Sequence, residues 1–182
     1  MNRYSLISKS ALAATALTFG VLASAATTSE IDTRVDNALT RFYSAGTNHR
    51  ELAQKASAML VFPRVTKAGV GVGGSYGEGA LEVNGKTVGY YKVTGASVGA
   101  TLGAARHSEV ILFMTDASRD KFMNSNGWTV GADANVAVVK GAGVDADTQT
   151  LQRPVLGFVF GEKGLIADVS LEGEKVSKLN EK

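Results

Sequence analysis

The chain contains no cysteine, two prolines and two histidines among its 182 residues. The absence of cysteine excludes disulfides, thiolate metal ligands, a thiol nucleophile and a lipid anchor attached to an N-terminal cysteine. His49 and His107 are far apart in sequence, so neither H-x-x-x-H nor H-E-x-x-H occurs, and the calcium-loop pattern is absent as well. We therefore expect no metal site and no cofactor.

The first 25 residues lack acidic side chains and have the pattern of an export signal. Arg3 and Lys9 precede the apolar run 11–22, and an Ala-Ser-Ala sequence ending at Ala25 fits the small-x-small rule for signal-peptide cleavage. The apolar run is too short for a membrane-spanning helix. The sequence therefore predicts a signal peptide cleaved after Ala25 and one exported domain at 26–182. That domain is expected in the periplasm, either free or peripheral on a membrane.

Neither sign of charge dominates the predicted exported domain. Once Arg3 and Lys9 are set aside, 17 of the 19 basic residues remain against 17 acidic ones. Residues 34–106 carry nine basic and four acidic side chains, whereas 107–182 carry eight and eleven. This asymmetry predicts an anionic partner for the first half, although a solvated surface with charges distributed by chance explains it equally well. Because the domain is neutral and has no recognised reader motif, we expect no nucleic-acid partner.

Glycine is abundant, and much of it lies between Lys67 and Gly103. Three glycines alternate with valines from position 69 to 73, which is the period of a β-strand. Glycine weakens a strand unless the strand must bend or another backbone must approach it closely. Asn84-Gly85 lies between two strand-like segments, and this pair is a strong hairpin signal because both residues accept positive φ.

The remaining patterns predict three helices and at least seven strands. The strands are expected at Val61–Val65, Gly69–Val83, Lys86–Thr94, Ala96–Ala104, Glu109–Met114, Trp128–Lys140, Val155–Phe160 and Leu165–Leu171, and Gly141–Arg153 is expected to be a polar loop. Apolar residues at 31, 35, 39 and 42 lie on one face of a helix over about 30–44. A second helix begins at Asn48, with Glu51 as its capping-box partner, and Asp116 caps a third that runs to about Met123. Turns connect most strands. The fold class is therefore α+β, with a strongly curled antiparallel sheet or barrel-like β core and about three packed helices.

One motif suggests catalysis. Gly73–Gly77 matches G-x-S-x-G, the nucleophile elbow of hydrolases, which requires a strand before the serine and a helix after it. Here Glu78–Val83 has the pattern of a strand, and no acid is clearly placed to orient His107 as the base for Ser75. A Ser75 hydrolase is a remote alternative, and we expect that the protein is not an enzyme.

A combination of motifs carries a family resemblance. They are Phe62-Pro63-Arg64-Val65-Thr66-Lys67-Ala68-Gly69, Gly71–Leu81 (GVGGSYGEGAL), Asn84-Gly85, Gly127-Trp128, Phe158-Val159-Phe160-Gly161 and Ser170-Leu171-Glu172-Gly173. Together they resemble the SYLF domain family, also called DUF500 or the Ysc84-like actin-binding domain, over nearly all of 26–182. The resemblance implies lipid binding rather than catalysis. Eukaryotic members resemble phosphoinositide binders that use an amphipathic N-terminal helix, and some bind and bundle actin.

The sequence and the resemblance together predict a non-enzymatic periplasmic protein that binds phospholipid at a membrane surface. Basic side chains would contact anionic head groups, and a glycine-lined groove would accept acyl chain; the glycines equally allow a helix to pack closely. The first helix would lie on the bilayer or dock on the sheet. An envelope protein-interaction module, with actin or another filament as partner, is the alternative. The predicted lipid-binding residues are Arg34, Arg41, Arg50, Lys55, Arg64, Lys67, Gly69, Gly71 and Gly73.

Overall fold

A computed structural model describes residues 26–139, 152–161, 164–165 and 170–179. The predicted signal peptide lies outside these residues, as do most of the loop predicted for 141–153 and most of the strand predicted for 165–171. None of the helices in the described part of the chain is both long and apolar enough to cross a bilayer.

The first helix, α1 (Thr28–Ala45), confirms the predicted spacing. The Thr27 side chain accepts a hydrogen bond from the Glu30 backbone N–H, and the Glu30 carboxylate accepts one from the Thr27 backbone N–H, so a capping box fixes the N-terminus. The apolar residues at 31, 35, 39 and 42 are all buried against the sheet, together with Ala38. The helix is therefore docked on the sheet by its apolar face.

Two shorter helices form where they were predicted, but both predicted caps were wrong. Helix α2 (His49–Lys55) follows Asn48, whose side chain caps nothing, and Glu51 pairs with Lys55 at 2.6 Å instead. Helix α3 (Asp116–Met123) is capped by Thr115, which accepts from the Ser118 backbone N–H. Thr115 thus supplies the cap that the pattern assigned to Asp116, whereas the predicted cap by the Asn48 side chain does not form.

Two very long strands form the centre of the sheet. β1 (Ala58–Val83) and β2 (Lys86–Phe113) pair antiparallel around the predicted hairpin, with positive φ at both Asn84 and Gly85. The sequence patterns predicted five separate strands in this region. That division was wrong, because register shifts between Phe62 and Val65, Val70 and Val72, and Leu81 and Glu82 bend the strands without ending them.

Five short strands complete the described sheet. They are β3 (Trp128–Thr129), β4 (Ala137–Val139), β5 (Val155–Gly161), β6 (Gly164–Leu165) and β7 (Lys175–Lys178). The strand order is β3-β7-β2-β5-β4, with β1 beside β2 and β6 beside β5, and among these described strands only the β4–β5 pair is parallel. The continuous strand predicted from Trp128 to Lys140 was wrong, since a turn with positive φ at Gly131 separates β3 from β4.

The sheet curls strongly into a half-barrel, which confirms the predicted α+β class. Its curvature is clearest in β1, where a Cβ added at Gly79 would overlap the carbonyl oxygen of Val61 and one at Gly77 would lie 2.9 Å from that of Arg64. Residues 18 positions apart in a straight strand would be about 60 Å apart. β1 therefore folds back on itself, and these two glycines admit the close approach of its own backbone.

Candidate anion-binding site

A cleft of about 380 Å³ opens where α1 crosses the bulged part of β1 and the adjoining part of β2. Its lining residues are Arg41, Pro63, Arg64, Arg106, His107, Ser108 and Gly161. Three of these seven are arginines and none is acidic. The fold thus gathers guanidinium groups from one helix and two strands around one opening.

Arg41 is held in place at the cleft by its neighbours. Its Nη2 donates to Ser108 Oγ at 3.2 Å, and its guanidinium lies 6.0 Å from the centre of the Phe160 ring. Ser108 Oγ in turn donates to the carbonyl oxygen of Pro63 at 2.8 Å. This chain of contacts fixes one guanidinium against the bulge of β1.

Arg64 and Arg106 are exposed, and neither forms an ion pair with another described residue. Arg64 lies in the register shift between Phe62 and Val65, and Arg106 pairs through the backbone with Thr66 on the same part of β1. Neither side chain has an ion pair or a hydrogen bond within the described ranges. Guanidinium groups present a planar fork of donors that matches phosphate and carboxylate oxygens. The cleft is therefore suited to an anion.

Two more of the sequence-predicted residues lie beside this cleft. Arg34 lines a smaller neighbouring cleft of about 130 Å³ that shares Pro63 and Arg64. Glu78 also lines it and accepts from the hydroxyl of Tyr76 at 2.7 Å, so this second cleft is not purely basic. Lys67 is close enough to His107 to lower the pKa of that histidine.

The other predicted site residues lie elsewhere or have other contacts. Arg50 places its guanidinium 4.5 Å from the ring centre of Tyr43, and Lys55 is bound to Glu51. Gly69 and Gly73 meet at the bend of β1, where a Cβ on the former would overlap the Cα of the latter. The surroundings of Gly71 lie outside the described residues.

A buried network of polar groups adjoins the cleft at His107. Nε2 of His107 lies 2.7 Å from Oε1 of Glu109, and both side chains are almost completely buried. The carboxyl of Glu109 is in hydrogen-bond contact with that of Glu174, and Ser75 Oγ donates to Glu174 Oε1 at 3.4 Å. Gly95 makes room for the last contact, because a Cβ there would lie 2.5 Å from Ser75 Oγ.

Burial favours the uncharged forms of the side chains in this network. Burial raises the pKa of Glu109 to about 8, and burial followed by the negative charge of Glu109 raises the pKa of Glu174 to about 8. Burial lowers the pKa of His107, with Glu174 opposing that shift and Lys67 adding to it. The Oε2 atoms of both glutamates are buried without a partner when ionised, which a shared proton would correct.

The network does not form a serine–histidine–acid triad. Ser75 lies within β1, with strand before and after it, rather than on a strand-to-helix elbow. Its hydroxyl contacts a carboxyl group, and the imidazole of His107 is two carboxyl groups away. Across the described segments, no group of three or more His, Asp and Glu side chains is arranged to hold a metal ion.

The second half of the chain matches a known family. Residues 94–182 match the Ysc84 family model, which is described as "Las17-binding protein actin regulator". The chain belongs to the SYLF family. Family membership supports a binding module of the lipid- or actin-binding type.

A curated relative extends the similarity towards the N-terminus. The SYLF chain is 32% identical to Beta cell expansion factor A of Aeromonas veronii over 147 residues. These residues make up 80% of the SYLF chain and 54% of the relative, so the chain spans about half the length of that protein.

Sequence reasoning missed three residues of the SYLF site: Arg106, Glu109 and Glu174. The signal for Arg106 was the Asn84-Gly85 hairpin, because its register continued along both strands places Arg106 opposite Pro63, next to Arg64, although the register shifts set the observed pairing with Thr66. Glu109 stands out as an acid beside the apolar run 110–113. Glu174 gave no local signal, since its place depends on pairing between β7 and β2.

Proposed function

We propose that this SYLF domain binds phospholipid without catalysis, by taking the phosphate of an anionic head group into the cleft of Arg41, Arg64 and Arg106. The observation that carries the proposal is the cleft itself. Among the described residues, three arginines and no carboxylate line it, and two of the three arginines have no partner there.

Repulsion among the arginines favours a cleft that holds an anion over an empty cleft. Like charges that share one opening repel each other, and a phosphate offsets that repulsion while accepting paired N–H bonds from the guanidinium forks. Arg41 is already immobilised by Ser108 and Phe160, so less side-chain entropy is lost when it binds. Head-group recognition therefore needs no movement of α1 away from the sheet.

Replacing both Arg64 and Arg106 by alanine is expected to weaken binding to vesicles that contain phosphatidylglycerol. Each basic residue near an anionic bilayer contributes about 1 kcal/mol, so the double variant should bind roughly thirtyfold more weakly. Co-flotation with phosphatidylglycerol vesicles and with phosphatidylcholine vesicles, at low and high salt, measures the effect. Wild-type binding should require the anionic lipid and decrease with salt.

A variant that loses two positive charges outside the cleft distinguishes binding by the cleft from binding by a general basic surface. Lys86→Ala with Lys178→Ala removes two exposed cations outside the cleft lining, and it should bind nearly as well as wild type. If the Lys86 and Lys178 variant lost as much affinity as the Arg64 and Arg106 variant, a diffuse basic surface would carry the binding. An equal loss in a variant with Arg50→Ala and Lys55→Ala would show the same. Undiminished binding by the Arg64 and Arg106 variant would overturn the cleft as the site.

The second candidate function is binding to a protein filament. The family description as an actin regulator favours it. Pelleting with actin filaments in the absence of lipid distinguishes the two functions, because only a filament-binding module would pellet there. Loss of pelleting in the Arg64 and Arg106 variant would then assign the cleft to a protein partner.

We also propose that residues 1–25 direct export to the periplasm. Two contacts support cleavage after Ala25. The Ala26 backbone nitrogen lies 3.1 Å from Glu78 Oε2, where a new N-terminal amine would form an ion pair, and the α1 cap begins at Thr27. The mass of protein recovered from the periplasm should correspond to a chain that begins at Ala26. Recovery of the full chain from the cytoplasm alone would contradict the proposal.

A further inference from the structure

A second cleft, of about 280 Å³, opens between α2 and the end of the β1–β2 hairpin. None of its described lining residues is shared with the arginine cleft. Tyr43 lines it from α1, and because Tyr43 and Arg41 are two positions apart, they lie about 200° apart around the helix axis. The two clefts are therefore on opposite flanks of α1. Among the described residues, the second cleft contains one carboxylate and one guanidinium, those of Glu82 and Arg50.

Glu82 faces this cleft because of its position in β1. Ala80, two positions earlier, belongs to the apolar cluster beneath α1, and residues two apart in a strand point to the same face. Thr87, the partner of Glu82 on β2, lies on that face as well, since its hydroxyl donates to Asp32 of α1 at 3.1 Å. Only 8% of Glu82 is exposed, and its carboxylate has no hydrogen bond or ion pair among the described residues.

Three carboxylates lie on this flank of α1, and none of them forms an ion pair with another described residue. Burial, followed by the charges of Asp36 and Asp32, raises the pKa of Glu82. Asp32 accepts from two neutral hydroxyls, those of Thr87 and Tyr90. A buried carboxylate without a partner costs free energy, and a cation at hydrogen-bond distance would recover it.

The arrangement suits an organic ammonium group better than a metal ion. Across the described part of the chain, no group of three or more His, Asp and Glu side chains is arranged to hold a metal ion, so these carboxylates do not converge on one point. A primary ammonium has three N–H donors and needs one close carboxylate. Ala53, Ala56 and Met59 line the same cleft and provide apolar surface for the methylene groups that such a ligand carries.

Arg50 adds a positive charge to the cleft. Its guanidinium lies 4.5 Å from the ring centre of Tyr43, and its N–H donors form no hydrogen bond within the described ranges. Burial raises the pKa of Tyr43, the charge of Glu82 raises it further and that of Arg50 lowers it, so both charges lie near this hydroxyl. Because Glu82 and Arg50 do not pair with each other, the cleft presents a separated negative and positive charge.

We infer that this cleft binds a phosphoethanolamine group, with the ammonium on Glu82 and the phosphate on Arg50. The guanidinium fork matches phosphate oxygens, and a two-carbon link separates the two charges of the ligand. An α-amino acid fits less well, because a single carbon joins its charged groups. The same group occurs in a free phosphate ester and in the head group of phosphatidylethanolamine. The site goes beyond the proposed function, since it is a different cleft and takes a zwitterion.

The first test is calorimetric titration with O-phosphoethanolamine. It uses the variant with Arg64→Ala and Arg106→Ala, so that the arginine cleft does not take the phosphate. Adding Glu82→Gln should weaken binding roughly tenfold or more, because a neutral amide lacks the charge that holds the ammonium. This variant should fold, since glutamine relieves repulsion between carboxylates. Adding Glu172→Gln, an exposed acid outside the cleft lining, should leave the affinity unchanged.

The second test separates the two ends of the ligand in the same background. Arg50→Ala should weaken binding of O-phosphoethanolamine roughly tenfold and leave the affinity for ethanolamine, which has no phosphate, unchanged. Lys55→Ala removes an exposed cation from the same helix and should have no effect on either ligand. Phosphocholine should bind at least roughly tenfold more weakly than O-phosphoethanolamine, because its ammonium has no N–H to donate. Equal affinities for these two compounds would overturn the inference.

Vesicles distinguish the two sources of the group. Wild type is floated with phosphatidylglycerol vesicles that contain an equal share of either phosphatidylethanolamine or phosphatidylcholine. Stronger flotation with phosphatidylethanolamine, abolished by Glu82→Gln, would assign the site to the lipid. Equal flotation together with calorimetric binding would assign it to the free ester. Absence of calorimetric binding overturns the inference whatever phosphatidylglycerol does, so its failure is distinct from failure of the arginine cleft.

Discussion

Replacing both Glu109 and Glu174 by glutamine is expected to make the protein more stable than wild type at about pH 9, by several kcal/mol, and to change little at about pH 5. The folded-state pKa of each glutamate is raised from 4.5 to about 8. Between these values the folded state binds more protons than the unfolded state, so wild-type stability falls as pH rises. Neutral glutamine mimics the protonated acid at every pH and removes that loss.

Urea unfolding at about pH 5, 7 and 9 measures this effect. The wild-type midpoint should decrease from the lowest pH to the highest, and that of the double variant should be nearly flat over the same range. Glu172→Gln changes an exposed acid in the same turn and should follow wild type. A wild-type midpoint that is constant from pH 5 to 9 would show that the pair is not protonated in the folded protein.

Gly79→Ala is expected to prevent folding or to destabilise the protein by more than about 4 kcal/mol. The added Cβ would overlap the Val61 carbonyl oxygen and lie 2.7 Å from Cδ1 of the Phe62 ring. Backbone cannot move aside as a flexible side chain can, so the two halves of β1 would have to separate. Circular dichroism and urea unfolding of the purified variant report both outcomes.

Gly74→Ala is the matched control in the same strand. Among the described residues, a Cβ there meets only the Gly95 carbonyl oxygen, at an ordinary 3.6 Å, and Gly74 is exposed. Its stability should change by no more than about 1 kcal/mol, in the stabilising direction if the strand gains from reduced backbone freedom. Wild-type stability in Gly79→Ala would mean that β1 does not fold back on itself as described.

Local sequence patterns predicted those secondary-structure elements that depend on interactions between residues close in sequence. Helix α1 follows from four apolar residues on one face and a capping box, and the hairpin follows from positive φ at Asn84 and Gly85. The bends in β1 were not predictable, because a register shift depends on which distant backbone packs against the strand. Glycine abundance indicated close approach of a backbone, but it did not identify the partner as β1 itself.

Of the candidate site, the sequence predicted only arginines that could be selected by their charge. Arg41 and Arg64 were selected as cations in a basic half, whereas Arg50 and Lys55 satisfied the same criterion and lie on another part of the surface. Arg106 needed the strand register as well. The acidic pair could not be predicted, since Glu109 and Glu174 lie 65 positions apart and meet only after β7 pairs with β2.

Ser75 and Glu174 are in contact although they lie 99 positions apart in the sequence. During synthesis, this contact therefore cannot form until long after Ser75 has been made. A ribosome that adds about 5–20 residues per second needs roughly 5–20 s to make the intervening chain. For most of that interval, Tyr91 to Thr94 in β2 have already been made but have no β7 to pair with, and Glu109 has no second carboxyl group. Because distant pairings also close slowly, the nascent chain exposes an unpaired strand edge for seconds, which is when a holding chaperone would bind it.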